Sequence, residues 1–538
     1  LDGTSGNDYI IGTPVSNIIY AGAGNDILDA GGYTSSWQHL RGQEGDDTYL
    51  IGKDDGQLWI SRSAEWSSSG TDTLHFKDLK LSDLTIDSFD YETQGQVLRF
   101  SWDKDGQSGE LRIADMGQHI ERFEFADGSV LGGVSWRDDG RVELYGLADG
   151  QDSVIYGTAY DDFVYGGAGN DTLSAGAGVG GSQHLRGAGG NDTYLFGSGG
   201  GSTMLHEGIE DGIDTVRFTD LSLTGLSLST TGSAADEPYG TVLNFSWQTG
   251  SGTDRLRISN HGQIIERFEF ADGSVLGGVS WRDDGRVELY GLADGQDSVI
   301  YGTAYDDFVY GGAGNDTLSA GAGVGGSQHL RGAGGNDTYL FGSGGGSTML
   351  HEGIEDGIDT VRFTDLSLAG LSLSTTGSAA DEPYGTVLNF SWQTGSGTDR
   401  LSISNHGQII ERFEFADGSV LSGIKVRDDG RVELHGTDGD DLISGTGLGD
   451  NMFGGAGSDT FIFSDINFGN DVIGDFTAGA GSDDVIGFGT DLFASFEDLL
   501  TAAGNNGSDT VIRVNESNSV ILKGVLVSDL HVDDFQFV

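Results

Sequence analysis

Val, Ile, Leu and Phe recur along this chain in short runs bounded by glycine, a pattern that predicts strands, not amphipathic helices. The clearest period is nine residues. Gly166-Gly167-Ala168-Gly169-Asn170-Asp171-Thr172-Leu173-Ser174 fits G-G-x-G-x-D-x-U-x, with U apolar, and Gly311 to Ser319 repeats it. Related frames run from Gly3 to Ile11, Gly12 to Tyr20 and Ala21 to Asp29, and from Gly436 to Ser444, Gly445 to Phe453 and Gly454 to Ile462. Glycine permits the positive φ of a tight turn, the sixth residue supplies a carboxylate, and the eighth drops into a short strand facing a narrow core. Two such turns predict one coil of a parallel β-roll, with coils about 4.8 Å apart. After a spacer the pattern resumes as G-x-x-G-x-D-T-Y at Gly42 to Tyr49, Gly187 to Tyr194 and Gly332 to Tyr339.

About eighty residues of a second kind follow each roll. Asp214 to Phe218, Val242 to Trp247, Arg255 to Ile258 and Ile265 to Gly273 alternate apolar and polar positions between Gly, Asp and Ser turns. They predict an inserted β module of four or five strands. The only helical pattern is Ser495 to Ala503.

The expected fold class is therefore all-β, with tandem parallel β-rolls alternating with small antiparallel β modules. Rolls are expected at 1–52, 134–197, 279–342 and 424–465, modules at 53–133, 198–278 and 343–423, and a C-terminal cap at 466–538. A longer period lies over this one: Gly12-Thr13 recurs 145 residues on as Gly157-Thr158 and again as Gly302-Thr303. Trp136 to Leu276 and Trp281 to Leu421 differ only at Thr224 against Ala369 and Arg257 against Ser402.

Charge changes what this pattern needs. Asp and Glu number 84 against 27 Lys and Arg, a formal charge of −57. Such a polyanion repels nucleic acid and anionic membranes, so neither is an expected partner. A chain this acidic folds if divalent cations neutralise it, and Ca²⁺ takes the oxygen ligands it has in surplus. With no cysteine, disulfides and thiolate metal sites are excluded. No apolar run approaches the ~20 residues of a membrane span, so no membrane insertion is expected, and Leu1 opens no signal-peptide pattern.

The nonapeptides resemble the haemolysin-type calcium-binding repeats of the RTX (repeats-in-toxin) family. The intervening stretches, with their Asp-Thr-Val-Arg-Phe start and Glu-Arg-Phe-Glu-Phe-Ala-Asp-Gly end, resemble the haemolysin-type calcium-binding related domain. The tail, from Ser458 to Phe463 through Gly469 to Phe476 and on to Asp529 to Phe535, looks like the cap and secretion region of such proteins. The resemblance implies multiple Ca²⁺ ions, export through a type I secretion transporter, and a secreted, extracellular or bacterial cell-surface location. It also implies sixth-position ligands at Asp8, Asp26, Asp47, Asp152, Asp162, Asp171, Asp192, Asp297, Asp307, Asp316, Asp337, Asp441, Asp450 and Asp459. Departures from the pattern are Asn17 for aspartate, Val15, Tyr160, Tyr305 and Leu448 for the fourth-position glycine, and one extra residue in the turns at Asp152 and Asp297.

Catalytic signatures are missing from the sequence. His206-Glu207 and His351-Glu352 lack the second histidine of H-E-x-x-H, and neither G-x-S-x-G nor a phosphate-binding loop occurs. His39, His184 and His329 share one repeat position and are expected to pack. Trp37, Trp59 and Trp66 in the first copy mark packing or a surface for a glycan partner. The expected function is a non-enzymatic, secreted, calcium-binding structural protein: a surface-layer, adhesin-like or filament subunit that self-associates into a fibre or lattice. The rival expectation is the calcium-binding, secretion-directing C-terminal portion of a larger secreted protease, lipase or polysaccharide-modifying enzyme. A free-standing carbohydrate-binding module or hydrolase within the inserted β modules is the third.

Overall fold

The computed structural model describes all residues except 33–35, 62–69, 92–94, 149, 175–181, 208–211, 232–240, 251, 260–264, 283, 294, 320–326, 353–356, 378–386, 396, 405–409, 428 and 465. The chain comprises two compact units, Leu1–Gly273 and Ser274–Val538.

The nonapeptide period becomes a two-sheet roll. In the first unit Tyr9–Ile11 lies parallel to Ile27–Asp29, which lies parallel to Thr48–Ile51, while Ile18–Ala23 pairs in parallel with Gln38–Glu44 in the facing sheet. The eighth-position residues fill the space between the sheets: Ile19, Leu28, Leu173, Leu318, Ile443, Met452 and Phe461 are fully buried. Each such side chain contributes roughly 1.5–3 kcal/mol, so the narrow core gains its stability by repetition.

The coils lengthen along each copy. Successive rungs of the first roll are 18, 21, 25 and then 49 residues apart. The longest interval contains the antiparallel module: Thr85–Tyr91, Gly95–Lys104 and Gln107–Ile113 form a meander whose last strand returns to lie parallel to Gln57–Ile60. The next copy repeats this with Ser227–Thr231, Val242–Thr249 and Gly252–Ile258, the last parallel to Ser202–Leu205. In the second unit Ser372–Thr376, Val387–Thr394 and Gly397–Ile403 do the same against Ser347–Leu350.

Antiparallel modules are therefore present as expected, and the last strand of each continues a sheet of the roll before it. The expected boundaries at 52/53, 197/198, 342/343 and 465/466 cut between strands paired side by side. Thr48–Ile51 pairs with Thr73–Phe76, Thr193–Phe196 with Thr215–Phe218, Thr338–Phe341 with Thr360–Phe363, and Thr460–Phe463 with Val485–Phe488. The Asp-Thr-Val-Arg-Phe segment is thus a coil of the roll, and the Glu-Arg-Phe-Glu-Phe segment supplies the next one, Arg267–Glu269 pairing in parallel with Thr215–Phe218. Stacked phenylalanines fix it there: Phe218 and Phe270 lie 5.1 Å apart, as do Phe363 and Phe415.

The tail follows the same plan a fourth time. Ala503–Asn506, Asp509–Arg513 and Ser519–Leu522 form a meander whose last strand lies parallel to Asn470–Ile473, and the final strand Phe535–Phe537 pairs in parallel with Val485–Phe488. The one α-helix among the described residues, Phe496–Ala502, starts at Ser495, whose side chain accepts the Asp498 N–H. No described helix is long and apolar enough to cross a membrane.

Candidate calcium ladder

Aspartates stack one above another along the roll, and on the main ladder each backbone N–H donates to the carboxylate one coil on. Asp8 donates to Asp26 Oδ1 at 2.8 Å, Asp26 to Asp47 at 2.9 Å and Asp47 to Asp72 at 3.0 Å. Asp72 then donates to Glu121. The second copy runs from Ser153 through Asp171, Asp192 and Asp214 to Glu266, and the third from Ser298 through Asp316, Asp337 and Asp359 to Glu411. In the last roll Asp441 donates to Asp459, which donates to Asp484, and Asp450 donates to Asp471.

One carboxylate oxygen is consumed by this ladder, and the other is left over. Asp26, Asp47, Asp171, Asp316, Asp337 and Asp471 are buried, and the Oδ2 of each has no hydrogen-bond partner. An unpaired buried charge is costly, so these oxygens need a cation or a proton. Burial pushes the Asp47 carboxyl up to about 6, against the Asp26 N–H, with Asp26 and Asp46 pushing it further. Burial likewise drives Asp214 and Asp337 to about 7, and burial plus the neighbouring Asp450 drives Asp471 to about 9.

The first glycine of each turn makes the room. A Cβ on Gly166 would stand 2.4 Å from Asp171 Oδ2, and on Gly332 1.9 Å from Asp337 Oδ2. Gly190 adopts φ +124°, and a side chain there would strike the Gly169 carbonyl oxygen at 2.0 Å. No group of three or more His, Asp or Glu side chains that could hold a metal converges among the described residues. A cation on the ladder must therefore draw much of its shell from backbone carbonyls. That donor set, all oxygen with one or two carboxylates, fits Ca²⁺ and not a transition metal.

The sequence-derived aspartates divide by how their oxygens are used. In a second group threonine closes the turn: Asp162 accepts the Thr158 N–H and its hydroxyl, both at 2.6 Å, and donates to Gln183. Asp307 is closed by Thr303, Asp450 by Thr446, Asp441 by Thr437 and Asp8 by Thr4. Asn17 is held the same way by Thr13, and its amide donates to Gln38. Both kinds of turn share a ladder: threonine-closed Asp8 donates to open Asp26, and threonine-closed Asp450 to open Asp471.

Asp152 and Asp297 lie off the buried ladder. The extra residue in their turns shifts the frame, so both are exposed and Ser153 and Ser298 take the buried rung. Asp152 and Asp297 join an outer ladder of fifth-position residues, accepting from the Asn170 and Asn315 N–H groups at 2.8 Å. Sequence reasoning also missed Asp72, Asp214, Asp359, Asp471 and Asp484 as rungs. Their signal is a half-motif, glycine two or three residues before an aspartate that opens a strand, as in Gly212-Ile213-Asp214-Thr215-Val216.

The histidines pack. His184 stacks on Phe163 at 4.5 Å and its Nδ1 lies 3.1 Å from His206 Nε2, and His329 repeats this with Phe308 and His351. Burial pushes His206 and His351 down to about 4. Trp37 and Trp59 pack around the Arg112 guanidinium, at 4.0 and 5.4 Å from the ring centres, and Trp66 lies outside the described residues.

Comparison with known proteins agrees with this geometry. The RTX calcium-binding nonapeptide repeat matches residues 2–32, 148–181, 293–326 and 433–464, and the haemolysin-type calcium binding protein related domain matches 249–278. No curated protein matches the chain. Among solved structures, the extracellular lipase LipA from Serratia marcescens is similar at 16% identity over 75% of this chain, with a TM-score of 0.15. The chain covers 43% of that lipase, less than half its length. The protein thus carries RTX calcium-binding repeats in four regions, and these bind calcium ions at multiple sites.

The two groups of turns give a testable contrast. Asp171→Ala and Asp316→Ala should each lower the calcium bound at saturation, because each removes an open carboxylate. Asp162→Ala and Asn17→Ala should leave that stoichiometry nearly unchanged and instead cost stability, about 1–3 kcal/mol for the lost turn hydrogen bonds. Isothermal titration of the four variants separates the outcomes, and equal calcium loss in all four would contradict the division.

Proposed function

We propose that this protein is a secreted calcium-binding structural protein, a surface-layer, adhesin-like or filament subunit whose β-rolls fold on Ca²⁺ outside the cell. The ladder of buried, half-satisfied carboxylates carries this reading, because it makes metal a structural component of the roll. Duplication supports it as well: the copies at Trp136–Leu276 and Trp281–Leu421 keep the same strand registers, so they present the same surface twice. Among the described residues Tyr9–Ile11 pairs along one edge only, with Tyr9 and Ile11 more than half exposed. Open edges and repeated surfaces favour head-to-tail contacts that propagate. Export through a type I transporter reading the C-terminal region belongs to the same proposal. Electron microscopy and light scattering in millimolar Ca²⁺ should show fibres or sheets that disperse in chelator. A monodisperse monomer at high concentration in excess Ca²⁺ would overturn the assembly reading.

A further inference from the structure

The His-Glu pairs that fail as a protease motif place a carboxylate at the third turn of two copies. In the third copy Glu352 follows the strand Ser347–Leu350 and reaches the turn that begins at Gly332. Its Oε1 accepts the Gly332 N–H at 2.5 Å, the Ala333 N–H at 3.3 Å and the Tyr339 hydroxyl. Tyr339 Oη also accepts from the Gly332 N–H at 2.7 Å. A Cβ on Gly332 would meet Asp337 Oδ2 at 1.9 Å and Tyr339 Oη at 2.5 Å, so the Asp337 carboxylate, the Tyr339 hydroxyl and Glu352 surround one point of the backbone. Asp337 is 1% exposed and its Oδ2 is unpartnered. Glu207 repeats the arrangement in the second copy with Gly187 and Tyr194. The first copy has Arg62 at the aligned sequence position, outside the described residues.

We infer that Glu207 and Glu352 are additional calcium-binding carboxylates, lying outside the nonapeptide motif, that make the Asp192 and Asp337 turns the tightest sites of their rolls. This rests on the calcium reading of the ladder. A buried and a half-buried carboxylate that face one point repel each other without metal and share a divalent cation with it, and affinity for Ca²⁺ rises with the number of charged ligands. Glu352 is among the groups that push Asp337 upward, after burial, Asp316 and Asp359.

The test uses the full chain stripped of metal, with Glu207→Gln and Glu352→Gln combined. Glutamine keeps an acceptor for the Gly332 N–H and Tyr339 O–H but removes the charge. Calcium titration should show the tightest class of sites weakened about tenfold. The melting temperature should fall in millimolar Ca²⁺ yet stay level or rise in chelator. An unchanged isotherm, or an equal drop in melting temperature with and without Ca²⁺, would reduce both glutamates to a structural role and overturn the inference. Asp171→Asn with Asp316→Asn is the control. If these alone weaken binding, only the role of the glutamates fails; if neither pair does, the ladder reading fails with it.

Discussion

Stripped of calcium at pH 8, the chain should lose most of its β circular dichroism and recover it cooperatively as Ca²⁺ is added in the millimolar range. The folded roll buries Asp26, Asp47, Asp171, Asp316, Asp337 and Asp471 with one oxygen each unpaired, within a chain of net charge −57. Extracellular calcium modules bind with a Kd of about 10⁻⁴ to 10⁻³ M, so at a few millimolar Ca²⁺ each site adds roughly 1–2 kcal/mol. Summed over the open rungs this reaches on the order of 10 kcal/mol, comparable with the roughly 5–15 kcal/mol that holds a typical domain together. At or below about micromolar Ca²⁺ the same sites add almost nothing, and carboxylate repulsion favours the open chain. Folding gated by calcium in this way would suit the export proposed above. A β spectrum and melting temperature that stay constant from chelator to millimolar Ca²⁺ would show that the metal is incidental to folding.

How much of this was legible in the sequence depended on whether local pattern or partner chemistry decided the outcome. Coils such as Gly166–Ser174 were readable because glycine, aspartate and an apolar residue each have one job at a fixed spacing, and Leu173 is buried as its position demands. Rungs such as Asp214 and Asp359 were not, because half of the turn motif is replaced by a long excursion and only the far strand restores the register. Asp162 and Asp171 look alike in one dimension. They differ because Thr158 turns its hydroxyl onto the first, whereas Gly167, at the same place in the second turn, has no side chain to offer. The tail's fourth copy of the roll-and-meander plan was hidden because its register rests on parallel pairs far apart in sequence, Val472 opposite Ile521 and Ile486 opposite Phe535.

Without metal, acidification should stabilise the fold; with metal, it should do the opposite. Asp47 is held near 6, Asp214 and Asp337 near 7 and Asp471 near 9, each raised first by burial above the ~3.9 of an unfolded aspartate. A raised folded-state pKa contributes stability that is complete below the unfolded value and is lost as pH rises through the folded one. For these groups the loss runs from about pH 4 to 7, and for Asp471 on to about 9. Glu124, Glu269 and Glu414 lie below their ordinary value because arginines donate to them, although burial opposes this. Their contribution has the opposite sign and disappears only as pH falls below the ordinary glutamate range, whereas His206 and His351, held down near 4 by burial, cost stability between pH 8 and 5, so the comparison between those values reads the ladder less this histidine cost. One pKa unit is worth ~1.4 kcal/mol, and 1 kcal/mol moves the melting temperature of a unit this size by about 2–4 °C. The metal-free chain should therefore melt at least about 5 °C higher at pH 5 than at pH 8. In 10 mM Ca²⁺ the order reverses, because protons and calcium compete for the same oxygens. Thermal melts of metal-stripped protein at the two pH values, with and without added Ca²⁺, measure both signs. A metal-free form that is less stable at pH 5 would mean that the ladder carboxylates are already neutralised by something other than calcium.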